Sequence, residues 1–155
     1  MKILVADNHT LFREGFSRQL QRFDVLTELQ EVTDFSSVTA LADQKKNFDL
    51  IFIDRDVLGT EWKEKFQSLQ IIFPEARLVM MSESEDQKDI LDAFGLGAAG
   101  YITKLSPDSL IINALRLIVD GNLYVPPAML KGLQKRPRMP GEGKILNHTL
   151  PNGKN

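Results

Sequence analysis

Short apolar runs alternate along this chain with longer stretches in which apolar residues recur every three or four positions. The runs at 2–6, 25–31, 49–53, 77–81 and 99–102 read as strands. The first, third and fourth are almost continuously apolar, as strands buried on both faces are. Between them lie five helical patterns. Residues 10–22 place Phe12, Phe16 and Gln19/Leu20 on one side. Residues 35–46 follow Asp34, a residue type suited to an N-cap. Residues 61–72 carry Trp62, Phe66 and Leu69 on one stripe, and 86–95 carry Ile90, Leu91 and Phe94 before Gly95. Residues 107–120 open with Ser106 as N-cap and Pro107 as first helical residue, and close at Gly121.

Strand and helix thus alternate five times, which predicts an α/β fold: a parallel sheet with helices on both faces and right-handed crossovers. The flavodoxin-like doubly wound order 2-1-3-4-5 is the natural arrangement of a (βα)5 chain. It sets the first and third strands side by side.

Composition narrows the class. The chain has 155 residues, no cysteine and no apolar run long enough for a signal peptide or a membrane span, so a cytoplasmic protein is expected. Residues 1–125 carry a net charge of −7, a poor basis for holding nucleic acid, whose phosphates require surplus positive charge. Residues 126–155 hold six Lys/Arg, one Glu and five of the seven prolines, and show no periodicity. They read as a linker or disordered tail leading to an absent further domain.

Four strand candidates end in a reactive group: Asp7 and Asn8 after Ala6, Asp54 after Ile53, Ser82 after Met81, and Lys104 just past Ile102. In a parallel sheet all four emerge at one edge, where open α/β sheets bind ligands. Alone, each has an ordinary explanation: a strand-end Asp is commonly a cap, Ser82 another cap, Lys104 solvated surface, Tyr101 a half-buried aromatic, and His9 an exposed loop residue. Together they carry chemistry. Clustered Asp7, Asp54 and Asp56 require a counter-charge, and an oxygen-only donor set suits Mg2+. Asp54, on the most central strand, is the carboxylate best fixed to attack phosphorus and form an aspartyl phosphate. Lys104 and the metal would neutralise the equatorial oxygens, and Ser82 would donate a hydrogen bond.

These segments resemble the receiver (CheY-like) domain of two-component response regulators, of the NarL/FixJ subgroup with a LuxR-type output domain. The resemblance runs through Ile3 to Gly15, Phe48 to Asp54, Ala76 to Ser82 and Gly97 to Lys104. It continues through Ser106 to Leu110 and Gly121 to Val125, so it covers 1–125. It implies a phosphoprotein in signal transduction and transcription regulation, with Asp54 receiving phosphate from a sensor histidine kinase. It implies magnesium ligation by Asp7, Asn8, Asp54 and the Asp56 backbone carbonyl, and acyl-phosphate contacts from Ser82 and Lys104. Ser82 and Tyr101 would act as switch residues, remodelling the face made by 86–95, 99–102 and 107–120. DNA would be reached only through the missing C-terminal domain. The chain would not be an enzyme, beyond slow self-phosphorylation and autodephosphorylation.

Two departures leave a second version open. The acidic pair ends in Asn8, an amide without charge, and Val57-Leu58 replace the usual Met-Pro after the acceptor. A degenerate receiver acting as a protein-interaction module is the alternative. A third reading takes Ile51 to Leu58 as the first motif of haloacid-dehalogenase-type phosphatases, with Asp54 as nucleophile and Asp56 as general acid. That motif normally opens its fold, whereas two strands precede it here. The apolar surface of 107–120 is wider than one core-facing stripe requires, which points to a homodimer.

Overall fold

A computed structural model of the chain describes residues 1–24 and 26–130. The elements run β1 (Lys2–Ala6), α1 (Thr10–Phe23), β2 (Glu28–Val32), α2 (Phe35–Asp43), β3 (Leu50–Asp54), α3 (Arg55–Leu58), α4 (Trp62–Ile72), β4 (Arg77–Ser82), α5 (Gln87–Gly95), β5 (Gly100–Thr103) and α6 (Asp108–Val119). The five strands form one parallel sheet in the order 2-1-3-4-5.

Side chains on a strand alternate between faces, so each strand feeds two core layers. Leu4, Ala6, Ile51, Ile53, Leu78, Met80 and Tyr101 pack with α2, α4 and α5. Ile3, Val5, Leu50, Phe52, Val79, Met81 and Ile102 pack with Phe16 and Leu20 of α1 and Ala114, Leu115 and Ile118 of α6. β1, β3 and β4 are buried almost throughout. β2 is an edge strand with mixed exposure, consistent with its polar sequence Glu28-Leu29-Gln30-Glu31-Val32.

Local signals behave unevenly. Asp34 caps α2 by accepting from Ser37 N at 2.7 Å. Ser106 does not cap α6; its hydroxyl bonds Thr103 Oγ1, and Pro107 takes the N-cap position. In α5 the buried residues are Ile90 and Ala93, while Leu91 points outward. The chain after α5 turns at Gly97, not Gly95: Gly97 has φ +99° and packs against Gln70, leaving no room for a Cβ. Gly97→Ala is expected to lower stability by about 1–2 kcal/mol in urea unfolding, from left-handed backbone strain plus displacement of Gln70. α3 is a single turn directly after Asp54 that the sequence pattern does not announce; Gly59 ends it at φ +78°.

Ordered contacts continue past the expected boundary at Val125. Tyr124 pairs with β5, donating to Ala99 O and accepting from Tyr101 N. Pro126–Leu130 then make a helical turn whose Ala128 is buried against the core, because Met129 N and Leu130 N find Pro126 O and Pro127 O. Residues 131–155, the rest of the expected linker, lie outside the described residues. No helix among the described residues is long and apolar enough to cross a membrane.

Candidate functional site

Register brings the site together. Ala6 pairs with Ile53, Asp54 with Met81, and Ser82 with Thr103. Asp7, Asp54, Ser82 and Lys104 therefore meet at the carboxyl edge of the three central strands and β5. Parity then divides them. Asp7, Asp54 and Lys104 continue the alternation of the α1/α6 face, whereas Ser82 continues that of the α4/α5 face.

The first three form a buried charge cluster. Asp7, Asp54 and Lys104 are 0%, 2% and 8% exposed. Lys104 Nζ donates to Asp7 Oδ2 at 2.9 Å, stands 3.4 Å from Asp54 Oδ2, and lies 4.5 Å from the centre of the Phe12 ring. Asp54 Oδ2 is buried with no hydrogen bond: Lys104 is near enough to attract it but does not point a proton at it. Burial pushes the Asp54 carboxyl up to about 6, against the pull of Lys104 and with the help of Asp7 and Asp56. At neutral pH it is still mostly ionised and carries a nucleophilic oxygen.

His9 closes over this cluster, and nothing in the sequence pattern singles it out. It holds the N-cap position of α1, yet its side chain makes no cap hydrogen bond. Its backbone N–H instead donates to Asp7 Oδ1 at 2.7 Å. Its Nδ1 lies 2.7 Å from Lys104 Nζ, 3.2 Å from Asp7 Oδ1 and 3.6 Å from Asp54 Oδ2; Nε2 faces Asp56 Oδ2 at 3.9 Å. The imidazole is 44% exposed and the Asp56 carboxylate 64%, so the cluster opens to solvent on this side. Asn8 is exposed at the same turn.

The other face holds a neutral and ionic network. Ser82 Oγ accepts from Ser84 N at 3.0 Å. Tyr101, 1% exposed, donates its hydroxyl to Ser84 O at 2.9 Å, and burial raises its phenol above the ordinary range. Ser84 Oγ and Arg55 Nη1 both donate to Asp89 Oδ2, at 2.6 and 2.8 Å. Burial raises the Asp89 carboxyl, but these two donors outweigh it and hold it below the usual range. Arg55 stacks on Trp62 at 4.8 Å. Arg55, Asp56, Gly59, Trp62, Ser82 and Ser84 line an open cleft of about 620 Å³. Arg55, Ser84 and Asp89 thus tie the residue after Asp54 to the loop that holds Tyr101, a link between groups up to 34 residues apart.

A divalent cation suits the cluster. One atom each of Asp7, His9 and Asp54 lies within 4.8 Å of the others. Two carboxylates satisfy the hard-oxygen preference of magnesium; the third converging donor is a nitrogen.

The chain is similar to known proteins in sequence and in fold. The model of the response regulator receiver domain matches residues 3–116. The glycerol metabolism activator of Pseudomonas putida is 34% identical over 130 residues, or 84% of this chain; the chain spans 59% of that relative's length. A LuxR family DNA-binding response regulator from Silicibacter pomeroyi superposes with a TM-score of 0.69 at 23% identity, over 81% of this chain and 97% of that one. The isolated REC domain of RcsB from Salmonella enterica serovar Typhimurium, solved with the phosphomimetic BeF3−, gives 0.71 at 14% identity, over 84% and 96%.

Proposed function

The chain belongs to the response regulator receiver family, and on that premise we propose that it is the phosphoacceptor of a two-component system, with Asp54 as the residue phosphorylated. The observation that supports this reading most is the buried, unbonded Asp54 Oδ2 beside Asp7 and Lys104. A carboxylate so placed has been stripped of water yet is partnered by fixed cationic charge, which is what an attacking oxygen requires.

In the proposed transfer, Asp54 Oδ2 forms a bond to the phosphorus of a donor, a sensor kinase phosphohistidine, as the P–N bond breaks and the imidazole leaves. The ammonium of Lys104 neutralises charge on the phosphoryl oxygens, while Asp7 holds that ammonium in place at 2.9 Å. Magnesium, held by Asp7 and Asp54, with Asn8 and the Asp56 backbone carbonyl as further ligands, would supply additional charge neutralisation. Ser82 reaches the phosphoryl group from the opposite face. Its rotation would release Ser84 N and disturb the Tyr101 hydroxyl contact, which is the proposed output signal. The protein acts as an acceptor, not as a turnover catalyst. Its output is proposed to be a LuxR-type DNA-binding domain outside this sequence, engaged as a homodimer in the cytoplasm.

Incubation of the folded protein with magnesium and a small phosphodonor is expected to add one phosphoryl mass. A folded, unmodified protein would overturn this reading in favour of a receiver that works by protein contact alone.

A further inference from the structure

Ser84 is the hub of the network on the Ser82 side of the acceptor. Its N–H donates to Ser82 Oγ at 3.0 Å, its carbonyl accepts from the Tyr101 hydroxyl at 2.9 Å, and its own hydroxyl donates to Asp89 Oδ2 at 2.6 Å. Asp86 N donates to that same hydroxyl oxygen at 3.2 Å. Every polar group of Ser84 is therefore engaged. The first bond reaches the end of β4, the second β5 and the third α5.

What fixes Asp89 then fixes the loop. Its neighbour Ile90 is fully buried, which anchors the first turn of α5 to the core. Arg55 Nη1 donates to the same Asp89 oxygen at 2.8 Å, and the Trp62 ring, 4.8 Å from the guanidinium, steadies that group. The cation is needed there. The loop carries Glu83, Glu85 and Asp86, all exposed, and like charge would drive it away from Asp89. Packing alone does not hold it, because Ser82, Glu83 and Ser84 line the open cleft and have space to move into.

We infer that Asp89, tied to Arg55, is a positioning residue: through Ser84 it holds the Ser82 hydroxyl in its resting place, and so sets how tightly the acceptor retains a phosphoryl group. To turn toward a phosphoryl group on Asp54, Ser82 must give up its bond from Ser84 N, which the tie to Asp89 keeps in place. An interaction made only in the resting arrangement weakens phosphoryl binding by its own worth. The inference rests on the acceptor reading for the roles of Asp54 and Ser82. It goes beyond that reading by giving Asp89 and Arg55 control of the site's affinity through Ser84.

The test titrates the folded protein, in magnesium, with beryllium fluoride as the phosphoryl mimic. Asp89→Asn and Arg55→Gln are each expected to bind it about tenfold more tightly than the wild type, the scale of one hydrogen bond to a charged group. The double variant is expected to gain no more than the larger single change, since the two residues act as one unit. In a Ser82→Ala background, Asp89→Asn is expected to change the affinity less than about twofold, because the effect runs through that hydroxyl. Amide hydrogen exchange reads the tie without any ligand. The Ser84 N–H is expected to exchange about tenfold faster in both single variants, with the amides of β3 and β4 unchanged. Weaker beryllium fluoride binding in the variants, an equal gain in the Ser82→Ala background, or unchanged Ser84 exchange would overturn the inference. Binding by the wild type with no gain in the variants removes this inference alone, whereas no binding by any of these proteins removes the acceptor reading as well.

Discussion

Lys104→Met is expected to cost about 3–5 kcal/mol of folding stability near neutral pH, the largest effect of any single change at the site. The methionine has similar length and keeps the contact with Phe12, so packing is largely preserved. What is lost is the cation between two buried carboxylates, Asp7 at 2.9 Å and Asp54 at 3.4 Å. An unpaired buried charge is far more costly than a missing pair. Lys104 is also the strongest influence holding the Asp54 carboxyl down, so its removal moves that group further above 6. The loss is therefore expected to shrink as pH falls through and below 6, where the Asp54 carboxyl takes up its proton. Combining Lys104→Met with Asp7→Asn is expected to recover part of the loss. Urea unfolding at acid and neutral pH reads both effects; a pH-independent loss would contradict the charge argument.

Asp54→Asn is expected to do the opposite to stability while ending phosphorylation. The folded-state carboxyl stands near 6, above its ordinary 3.8, chiefly because of burial. A raised acid favours the protonated fold. Stability is thus fully present below about pH 4 and is lost as pH rises through 6. The loss amounts to about 2–3 kcal/mol once Asp54 is ionised, since each tenfold change in acidity is worth roughly 1.4 kcal/mol. Asparagine carries no such charge, and Lys104 keeps its hydrogen bond to Asp7. The variant is expected to gain about that amount near neutral pH and to lose the slope between pH 4 and 6. Thermal unfolding across that range, compared with the wild type, checks both. This is the signature of a residue kept for chemistry at the expense of the fold.

What could be read from the chain follows a physical rule. Buried runs such as Leu50-Ile51-Phe52-Ile53 declare themselves because every residue must be apolar when both faces are covered. The strand order then follows from five βα units, and with it the meeting of Asp7, Asp54 and Lys104. The stripe Trp62, Phe66, Leu69 faces the core as its spacing requires. Groups whose role depends on direction are not legible in this way. His9 looks like a loop residue until the turn after β1 folds its ring back over Asp54. Ser106 has the chemistry of a cap, but a nearer hydroxyl, Thr103, claims it. Leu91 has the residue type of an inward position, yet the helical phase set by Ile90 gives that place to Ala93. The contacts among Arg55, Ser84 and Asp89 join separate loops, and no local pattern encodes a partner 34 residues away. The sheet's alternation also separates Ser82 from Lys104 onto opposite faces, a distinction that shared position at a strand end conceals.

The most direct test of the account is the position of the acyl phosphate. The protein, folded and treated with a divalent cation and a small phosphodonor, is reduced with borohydride, which converts an aspartyl phosphate to homoserine, and is then mapped by peptide mass spectrometry. The account predicts homoserine at position 54, and none in the Asp54→Asn variant. Homoserine at position 7 or 56, or phosphate retained on His9, would contradict it.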